Sequence, residues 1–171
     1  NYGHNDDVMK KALLDYIESD GVTHGLDMAT DAKIRFLETF ENVIMKPRGM
    51  DYKIQFPGPT GTNAVEAALT IARKVKKRDR VLFFTNAYHG MTLGALAVTG
   101  NASKRAGAGV CLCHSSPVPF SGYFGPDRDT ADDLRMLLEN SSSGYEKPAA
   151  IIVETVQGEG GINVADFDWL K

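Results

Sequence analysis

The sequence has little cysteine and no long apolar run. Only 2 of its 171 residues are Cys, too few to staple a secreted fold of this size, so we expect a reducing, cytoplasmic location. No apolar stretch approaches the roughly 20 residues that a membrane-spanning helix needs, and no basic-then-apolar signal segment opens the chain. We therefore expect no membrane partner.

The sequence also lacks an excess of charge of either sign. It has 19 Lys plus Arg against 22 Asp plus Glu, a formal net charge of −3. This balance removes the electrostatic basis for general nucleic-acid binding. Hydrophobic residues make up 43% of the chain and charged residues 24%, which excludes a disordered or collagen-like protein.

Hydrophobic periodicity predicts an α/β domain. Helices are expected over residues 6–20, 30–46, 63–77, 91–99 and 130–140, and strands over residues 52–56, 81–85 and 149–156. Residues 100–127 read as loop. The last two strands are continuous apolar runs, typical of strands buried on both faces. The order of elements favours a mostly parallel sheet with helices on both faces, preceded by two amphipathic helices.

A glycine-rich turn separates the first predicted strand from the helix that follows it. The turn reads GPTGTN over positions 58–63, and a helix start of this kind can bind phosphate through unpaired backbone N–H groups. Gly61 allows close approach to the backbone, and Thr62 adds a hydroxyl. The run lacks the endings typical of nucleoside triphosphate or dinucleotide loops. The alternative is a plain strand-to-helix connection with Thr62 as the helix cap.

Other candidate residues lie at strand ends and in one Cys-rich stretch. Glu154 follows an apolar strand, where ligand crevices of parallel sheets lie; the alternative is a solvated carboxylate. Tyr88 is either a ligand-stacking or an ordinary packing aromatic. The run CLCH at positions 111–114 offers soft metal ligands, but no second ligand pair accompanies it. We therefore expect reduced thiols and no metal.

Three stretches, in this order, resemble the class III pyridoxal-phosphate (PLP) aminotransferases. GPTGTNAVEAAL at 58–69 is similar to the family's phosphate cup, and NAYHG at 86–90 to its aromatic-His-Gly element. VETVQGEGG at 153–161 resembles its Glu-Pro-x-Gln-x-Glu-Gly-Gly strand end, with Thr155 where most members have Pro. YGHN at 2–5 also fits the family pattern. The resemblance covers essentially the whole chain and implies part of a type I PLP-transferase large domain.

The resemblance implies PLP as the cofactor and assigns residues to its phosphate. Gly61 and Thr62 would hold the phosphate through N–H and hydroxyl groups, and Asn63 would supply the next N–H of the same helix start.

The resemblance also assigns residues to the cofactor ring and to the substrate. Tyr88 would stack on the ring, and Glu154 would lie near its polar edge. Glu159 resembles a gate carboxylate that pairs with an Arg while an ω-amine is bound and releases it for the α-carboxylate of 2-oxoglutarate. No Arg of this chain matches that partner.

Three further stretches resemble the family members that exchange the ω-amino group of 2,4-diaminobutyrate with 2-oxoglutarate in ectoine biosynthesis. They read THGLDMAT at 23–30, FPGPTGT at 56–62 and YHGMTL at 88–93. A homodimer or higher homo-oligomer is implied by the same resemblance. The alternatives are another class III enzyme acting on 4-aminobutyrate or ornithine, and a non-catalytic phosphate-binding or interaction domain.

The family's catalytic residues have no match in this chain. The Schiff-base Lys and the Asp that pairs with the pyridine nitrogen are expected beyond Lys171. We therefore interpret residues 1–50 as a helical lead-in and residues 51–171 as the N-terminal half of the PLP-binding domain. We expect an incomplete sheet with an exposed edge, and no transaminase activity from this polypeptide alone.

Overall fold

The structure, a computed structural model, describes residues 3–171. The chain divides into two compact units, the first ending at Gln55 and the second spanning Phe56–Lys171. Tyr2 of the 2–5 motif lies outside the described residues. No helix in the described part of the chain is long and apolar enough to cross a membrane.

The first unit is helical, as predicted. Helix α1 spans Asp7–Glu18 and α2 spans Asp31–Phe40; a π-helical turn (Glu41–Met45) and a 3-10 turn (Lys46–Arg48) follow. The Asp6 side chain accepts from two free amides of the first turn of α1, and the Thr30 hydroxyl does the same for α2. Gly49, at a φ of 62°, ends the second helical segment because a left-handed residue suits glycine.

Amphipathic helices are expected to bury their apolar faces, and this expectation fails for α1 and for part of the second helical segment. Helix α1 contains no buried residue, and in the second helical segment Ile34, Phe36 and Val43 are exposed while Met45 is buried. An amphipathic stripe becomes core only where another layer packs on it, and the described residues of this unit place none over these side chains.

The second unit is α/β. Its elements are α3 (Gly61–Lys76), β1 (Val81–Phe84), α4 (Leu93–Ala97), α5 (Ala102–Ala106), β2 (Ser115–Val118), α6 (Thr130–Glu139), β3 (Ala150–Ile152), β4 (Val156–Gln157) and β5 (Asn163–Val164). Strands β2, β1 and β3 form a parallel sheet in that order, and β4 and β5 form a separate antiparallel hairpin.

Strand β1 is the centre of the core and packs helices on both of its faces. Val81 and Phe83 pack in one cluster with Leu69 of α3. Leu82 lies in a second cluster, against which side chains of α6 and Trp169 pack. The predicted parallel sheet with helices on both faces is confirmed, and the four residues of β1 are all buried.

Three strand predictions need correction. Residues 52–56 form no strand, because they pair with no other strand of the described chain. Strand β2 lies inside the stretch read as loop; its Pro117 and two serines hide it from propensity. Strand β3 is shorter than residues 149–156 and is not fully buried: it pairs with β1 alone, and Ile151 is 46% exposed.

Candidate functional site

The start of α3 is a closed capping turn. The Asn63 side-chain oxygen accepts from the Thr60 amide (3.2 Å) and the Thr60 hydroxyl (2.6 Å). The Asn63 amide donates to the Thr60 carbonyl (3.1 Å). Gly58, at a φ of 132°, passes so close that a Cβ there would lie 2.9 Å from Asn63 Cγ. Asn63 therefore shapes the turn, and its own N–H is already engaged.

The amides of Gly61 and Thr62 are the unpaired donors of this turn. Helix α3 begins at Gly61, two residues earlier than predicted, which puts both amides in its first turn. Neither donates to an acceptor among the described residues, and a Cβ at Gly61 would meet nothing within 4 Å. Two unpaired N–H groups lie at the positive end of a 16-residue helix and face open space, an arrangement that can bind an anion.

The Thr62 side chain belongs to a hydroxyl chain that ends on Glu66. Thr92 Oγ1 donates to Glu66 Oε1, which also accepts from the Ala95 amide (3.0 Å). Thr62 Oγ1 lies 3.0 Å from Thr92 Oγ1. Since the Thr92 proton is committed to Glu66, the Thr62 hydroxyl is the donor to Thr92. The backbone, more than the hydroxyl, thus supplies the free donors at Thr62.

Sequence reasoning missed Glu66 and Thr92. Glu66 carried a usable signal in the sequence: it is a carboxylate inside the apolar run AVEAAL. Thr92 carried none, because its role comes from a contact with a helix that starts 31 positions earlier in the chain.

The aromatic-His-Gly loop is held against this helix start. The Tyr88 amide donates to Glu154 Oε1 (2.8 Å), and the Gly158 amide to Glu154 Oε2 (3.4 Å). Gly90 has a φ of 132°, and a Cβ there would lie 2.1 Å from Thr62 Oγ1. Glu154 thus fixes the backbone of Tyr88, and Gly90 permits the two motifs to touch.

His89 is a mostly buried imidazole beside this loop. Its Nε2 has no hydrogen-bond partner among the described residues, and its amide donates to Thr99 Oγ1 (3.1 Å). Burial lowers the pKa of His89, against the opposing attraction of the Glu154 carboxylate. The ring is therefore neutral at physiological pH.

Two clefts share the Tyr88 side chain. The first, of about 530 Å³, is lined by residues that include Thr60, Gly61, Thr62, Tyr88, His89 and Gly90. The second, of about 250 Å³, is lined by residues that include Asn86, Tyr88, Asn101, Lys104, Glu159 and Gly160. A larger cleft of about 830 Å³, between residues 121–129 and 164–169, contains none of the predicted site residues.

The second cleft brings a lysine to Glu159. Lys104 Nζ lies 3.2 Å from Glu159 Oε2 and 4.1 Å from the centroid of the Tyr88 ring. The resemblance implies an Arg partner for Glu159 that no residue of this chain matches, and among the described residues Glu159 forms its ion pair with Lys104.

The CLCH run at positions 111–114 contains two exposed thiols and a hydrogen-bonded histidine. Cys111 and Cys113 are exposed free thiols, and His114 Nδ1 lies 2.6 Å from Asp79 Oδ2. The described residues contain no group of His, Cys, Asp and Glu that could hold a metal ion.

Comparison with known proteins finds matches over the whole length of this chain. The family model for aminotransferase class-III matches residues 1–171. The diaminobutyrate–2-oxoglutarate transaminase of Streptomyces anulatus is 66% identical over 173 aligned residues, which cover 100% of this chain and 41% of the relative. The chain thus spans about two fifths of that relative's length.

Two solved structures share the fold. A Bacillus anthracis aminotransferase superposes with a TM-score of 0.80 at 23% identity, covering 99% of this chain and 39% of that one. An amine transaminase from an uncultivated Pseudomonas species, solved in its PLP-bound form, gives 0.77 at 23% identity, covering 99% and 41%.

Proposed function

The chain belongs to the class-III aminotransferase family, and we propose that the full-length protein is a PLP-dependent transaminase. The proposed reaction moves the ω-amino group between L-2,4-diaminobutyrate and 2-oxoglutarate, with aspartate 4-semialdehyde and glutamate as the other pair. The name of the Streptomyces anulatus relative supports this substrate pair. A place in ectoine biosynthesis is part of the same proposal.

One observation carries the cofactor assignment: the unpaired amides of Gly61 and Thr62 open on the cleft that Tyr88 also lines. PLP joins an anionic phosphate to an aromatic ring, so an anion site next to an aromatic wall fits it. When bound, PLP supplies the electron sink for amino-group chemistry.

Each residue of the site has a defined task in this proposal. The amides of Gly61 and Thr62 bind the phosphate, and Tyr88 covers a face of the ring. Glu154 holds the Tyr88 backbone in place. His89, neutral and without a partner at Nε2 among the described residues, fills the wall and takes no part in proton transfer.

Asn63 has a different proposed role from the one the resemblance implied. Its amide is engaged with Thr60, so its contribution is to keep the two neighbouring amides free and aimed at the cleft. Direct binding of the cofactor by Asn63 stays a prediction.

The remaining parts of the proposal concern the whole protein. The covalent Lys and the pyridine-pairing Asp lie in the portion beyond this chain, so residues 1–171 alone do not transaminate. Exposed free thiols support a reducing, cytoplasmic location. The exposed apolar side chains of α1 support a homo-oligomer, which light scattering of the full-length protein would measure.

The test is an amino-donor profile of the full-length protein. Purified protein loaded with PLP is given 2-oxoglutarate and L-2,4-diaminobutyrate, 4-aminobutyrate or L-ornithine, and glutamate is measured. We expect the highest kcat/KM with diaminobutyrate. A higher value with 4-aminobutyrate or ornithine would identify another ω-aminotransferase, and no glutamate from any donor would refute the activity.

A further inference from the structure

A cleft of about 410 Å³ in the second unit is lined by charged residues. We call it the basic cleft, and its lining has five cations and two acidic residues: Arg73, Lys77, Arg78, Asp79, Arg80, Glu146 and Lys147. The whole chain has a formal net charge of −3. The basic cleft is therefore positive on a chain that is negative overall.

The basic cleft lies at the edge of the parallel sheet opposite to the Tyr88 loop. Strands β1 and β3 run parallel, and the segments 77–80 and 146–147 that line the cleft precede them. The Tyr88 loop follows the other end of β1. The cleft also lies at the far end of α3, about 20 Å along the helix axis from Gly61. A ligand bound there would be separate from the phosphate of PLP.

The three arginines of the basic cleft are each held by one hydrogen bond. The acceptors lie outside α3: Arg73 Nε donates to the Asp79 carbonyl (2.8 Å), Arg78 Nη1 to the Pro148 carbonyl (3.3 Å) and Arg80 Nη1 to Ser116 Oγ (2.8 Å). Basic residues at the end of a helix commonly bind its last carbonyls, and these three bind other segments instead. A guanidinium has five N–H donors, so each arginine keeps four for a ligand.

The positive charges of the basic cleft are not neutralised within it. Asp79 Oδ2 is bonded to His114 Nδ1 (2.6 Å), which is not part of the lining. Glu146 and the five cations form no ion pair among the described residues. Like charges held close together repel one another unless an anion joins them. Unpaired guanidinium groups in fixed positions match the oxygens of phosphate groups.

The lining also indicates which anion fits. The described residues that line the cleft include no aromatic side chain, so a nucleobase would have no ring to stack on. The volume of the cleft suits a small ligand. A chain of phosphate groups carries several negative charges within such a volume, which matches the excess of cations.

We propose that the basic cleft binds an oligophosphate chain of about the size of triphosphate. The three arginines bind the phosphate oxygens, and the ammonium groups of Lys77 and Lys147, which have no partner among the described residues, add two further positive charges. The chain comes either as inorganic triphosphate or as the triphosphate of a nucleotide. The proposal concerns binding alone and does not depend on the proposed transaminase reaction.

The experiment is isothermal titration calorimetry of the full-length, PLP-loaded protein with inorganic triphosphate, in metal-free buffer at about 20 mM and about 150 mM NaCl. We expect binding that weakens at the higher salt concentration, because ions screen the charges. ATP should bind within about threefold of inorganic triphosphate, since only the shared chain is recognised. The absence of triphosphate binding, or binding of ATP alone, would overturn the proposal.

Two variants remove one cation each. Arg78→Gln and Lys147→Gln should both weaken triphosphate binding about 10-fold or more, the loss of a charge-assisted hydrogen bond. Arg78 also binds the Pro148 carbonyl, whereas Lys147 has no contact of this kind to lose among the described residues. Arg78→Lys keeps the charge and should recover part of the affinity. Thermal unfolding shows whether each variant is folded.

Lys74→Gln is the matched control. Lys74 is an exposed lysine at the same end of α3 and does not line the basic cleft, so the variant removes one charge without removing a contact. We expect its affinity for triphosphate to change less than about threefold. Equal losses in Lys74→Gln and Lys147→Gln would show a diffuse effect of charge and would overturn the proposal.

PLP absorbance is followed during the same titration. We expect triphosphate to leave it unchanged, because the start of α3 is already occupied by the cofactor. Release of PLP by triphosphate would place the anion at that helix start and would also overturn the proposal. Turnover is not measured, so a failure of the proposed transaminase reaction leaves each of these outcomes unaffected.

Discussion

Gly90 is the residue through which the loop of Tyr88 meets the start of α3. Its φ of 132° is a conformation that L side chains rarely adopt, and Thr62 Oγ1 occupies the space of a Cβ. Gly125 has a φ of 100° with open space around it. Substitutions at Gly90 and Gly125 therefore separate the cost of backbone strain from the cost of a steric clash between the Tyr88 loop and the start of α3.

Gly90→Ala is predicted to destabilise the full-length protein by backbone strain of about 1–3 kcal/mol and by overpacking of similar size. Gly125→Ala should lower the free energy of unfolding by the backbone strain alone, because a Cβ there meets no neighbouring atom. Chemical denaturation measures both free energies of unfolding, and PLP retention should fall only in Gly90→Ala. Equal losses of stability and full PLP retention in both variants would contradict the described contact.

His89 should make the stability of the protein depend on pH. Burial lowers its pKa in the folded state below the usual 6.5, so the unfolded chain binds more protons at mildly acidic pH. The stabilising contribution is full above about pH 6.5 and is lost as pH falls toward the folded-state pKa.

His89→Gln is therefore predicted to flatten the fall of the thermal unfolding midpoint as pH drops below about 6.5. Thermal scans of the full-length protein at several pH values measure this, with His24→Gln, at an exposed position, as the control. If His89→Gln follows the wild-type profile, the buried neutral imidazole is refuted.

Single residues differed in how far the sequence could predict them. Gly61, Thr62 and Tyr88 lie in local motifs, and the structure places all three on one cleft. The ion pair of Lys104 with Glu159 joins positions 55 apart. Such a contact depends on how α5 and the β4–β5 hairpin pack, so no local pattern indicates it.

Helix α3 begins with the two unpaired amides to which we assign the phosphate, and its capping turn is the part open to test. Asn63 accepts two hydrogen bonds from Thr60, and this closure aims the first two amides outward. Helix propensity predicted the element, whereas the start at Gly61 depends on the cap.

Asn63→Ala is predicted to lower the free energy of unfolding by about 1 kcal/mol, the usual value of a helix cap, and to weaken PLP retention. Asn63→Asp keeps an acceptor oxygen and should retain the stability. Chemical denaturation and PLP titration of the full-length protein measure the two effects. Unchanged stability in Asn63→Ala would show that the turn holds without its side-chain cap.

Strands were predictable only where a single chain segment contained the signal. β1 is a continuous apolar run and is fully buried, as its pattern indicates. Residues 52–56 alternate like a strand yet have no pairing partner in the described chain. The sequence of β2, SSPV, has low β-propensity, and the strand forms because it pairs in parallel with β1. Whether such a segment forms a strand depends on its pairing partner, and the whole fold determines which partner is available.

At the scale of the whole molecule, the unpaired amides of α3, the Tyr88 ring and the Lys104–Glu159 ion pair all lie within Phe56–Lys171. It spans 41% of the length of its Streptomyces anulatus relative. The family could be identified from three ordered motifs, because each contains backbone geometry that only certain residues allow. The substrate could be proposed only by resemblance, since the groups that contact it are spread over distant segments.

The central claim is that the full-length protein moves the ω-amino group of diaminobutyrate to 2-oxoglutarate. L-2,4-diaminobutyrate labelled with ¹⁵N at the 4-position alone is incubated with 2-oxoglutarate and the PLP-loaded protein, and the glutamate is analysed by mass spectrometry. The account predicts that the glutamate carries ¹⁵N. Unlabelled glutamate, which would show transfer from the α-amino group, or the absence of glutamate would contradict it.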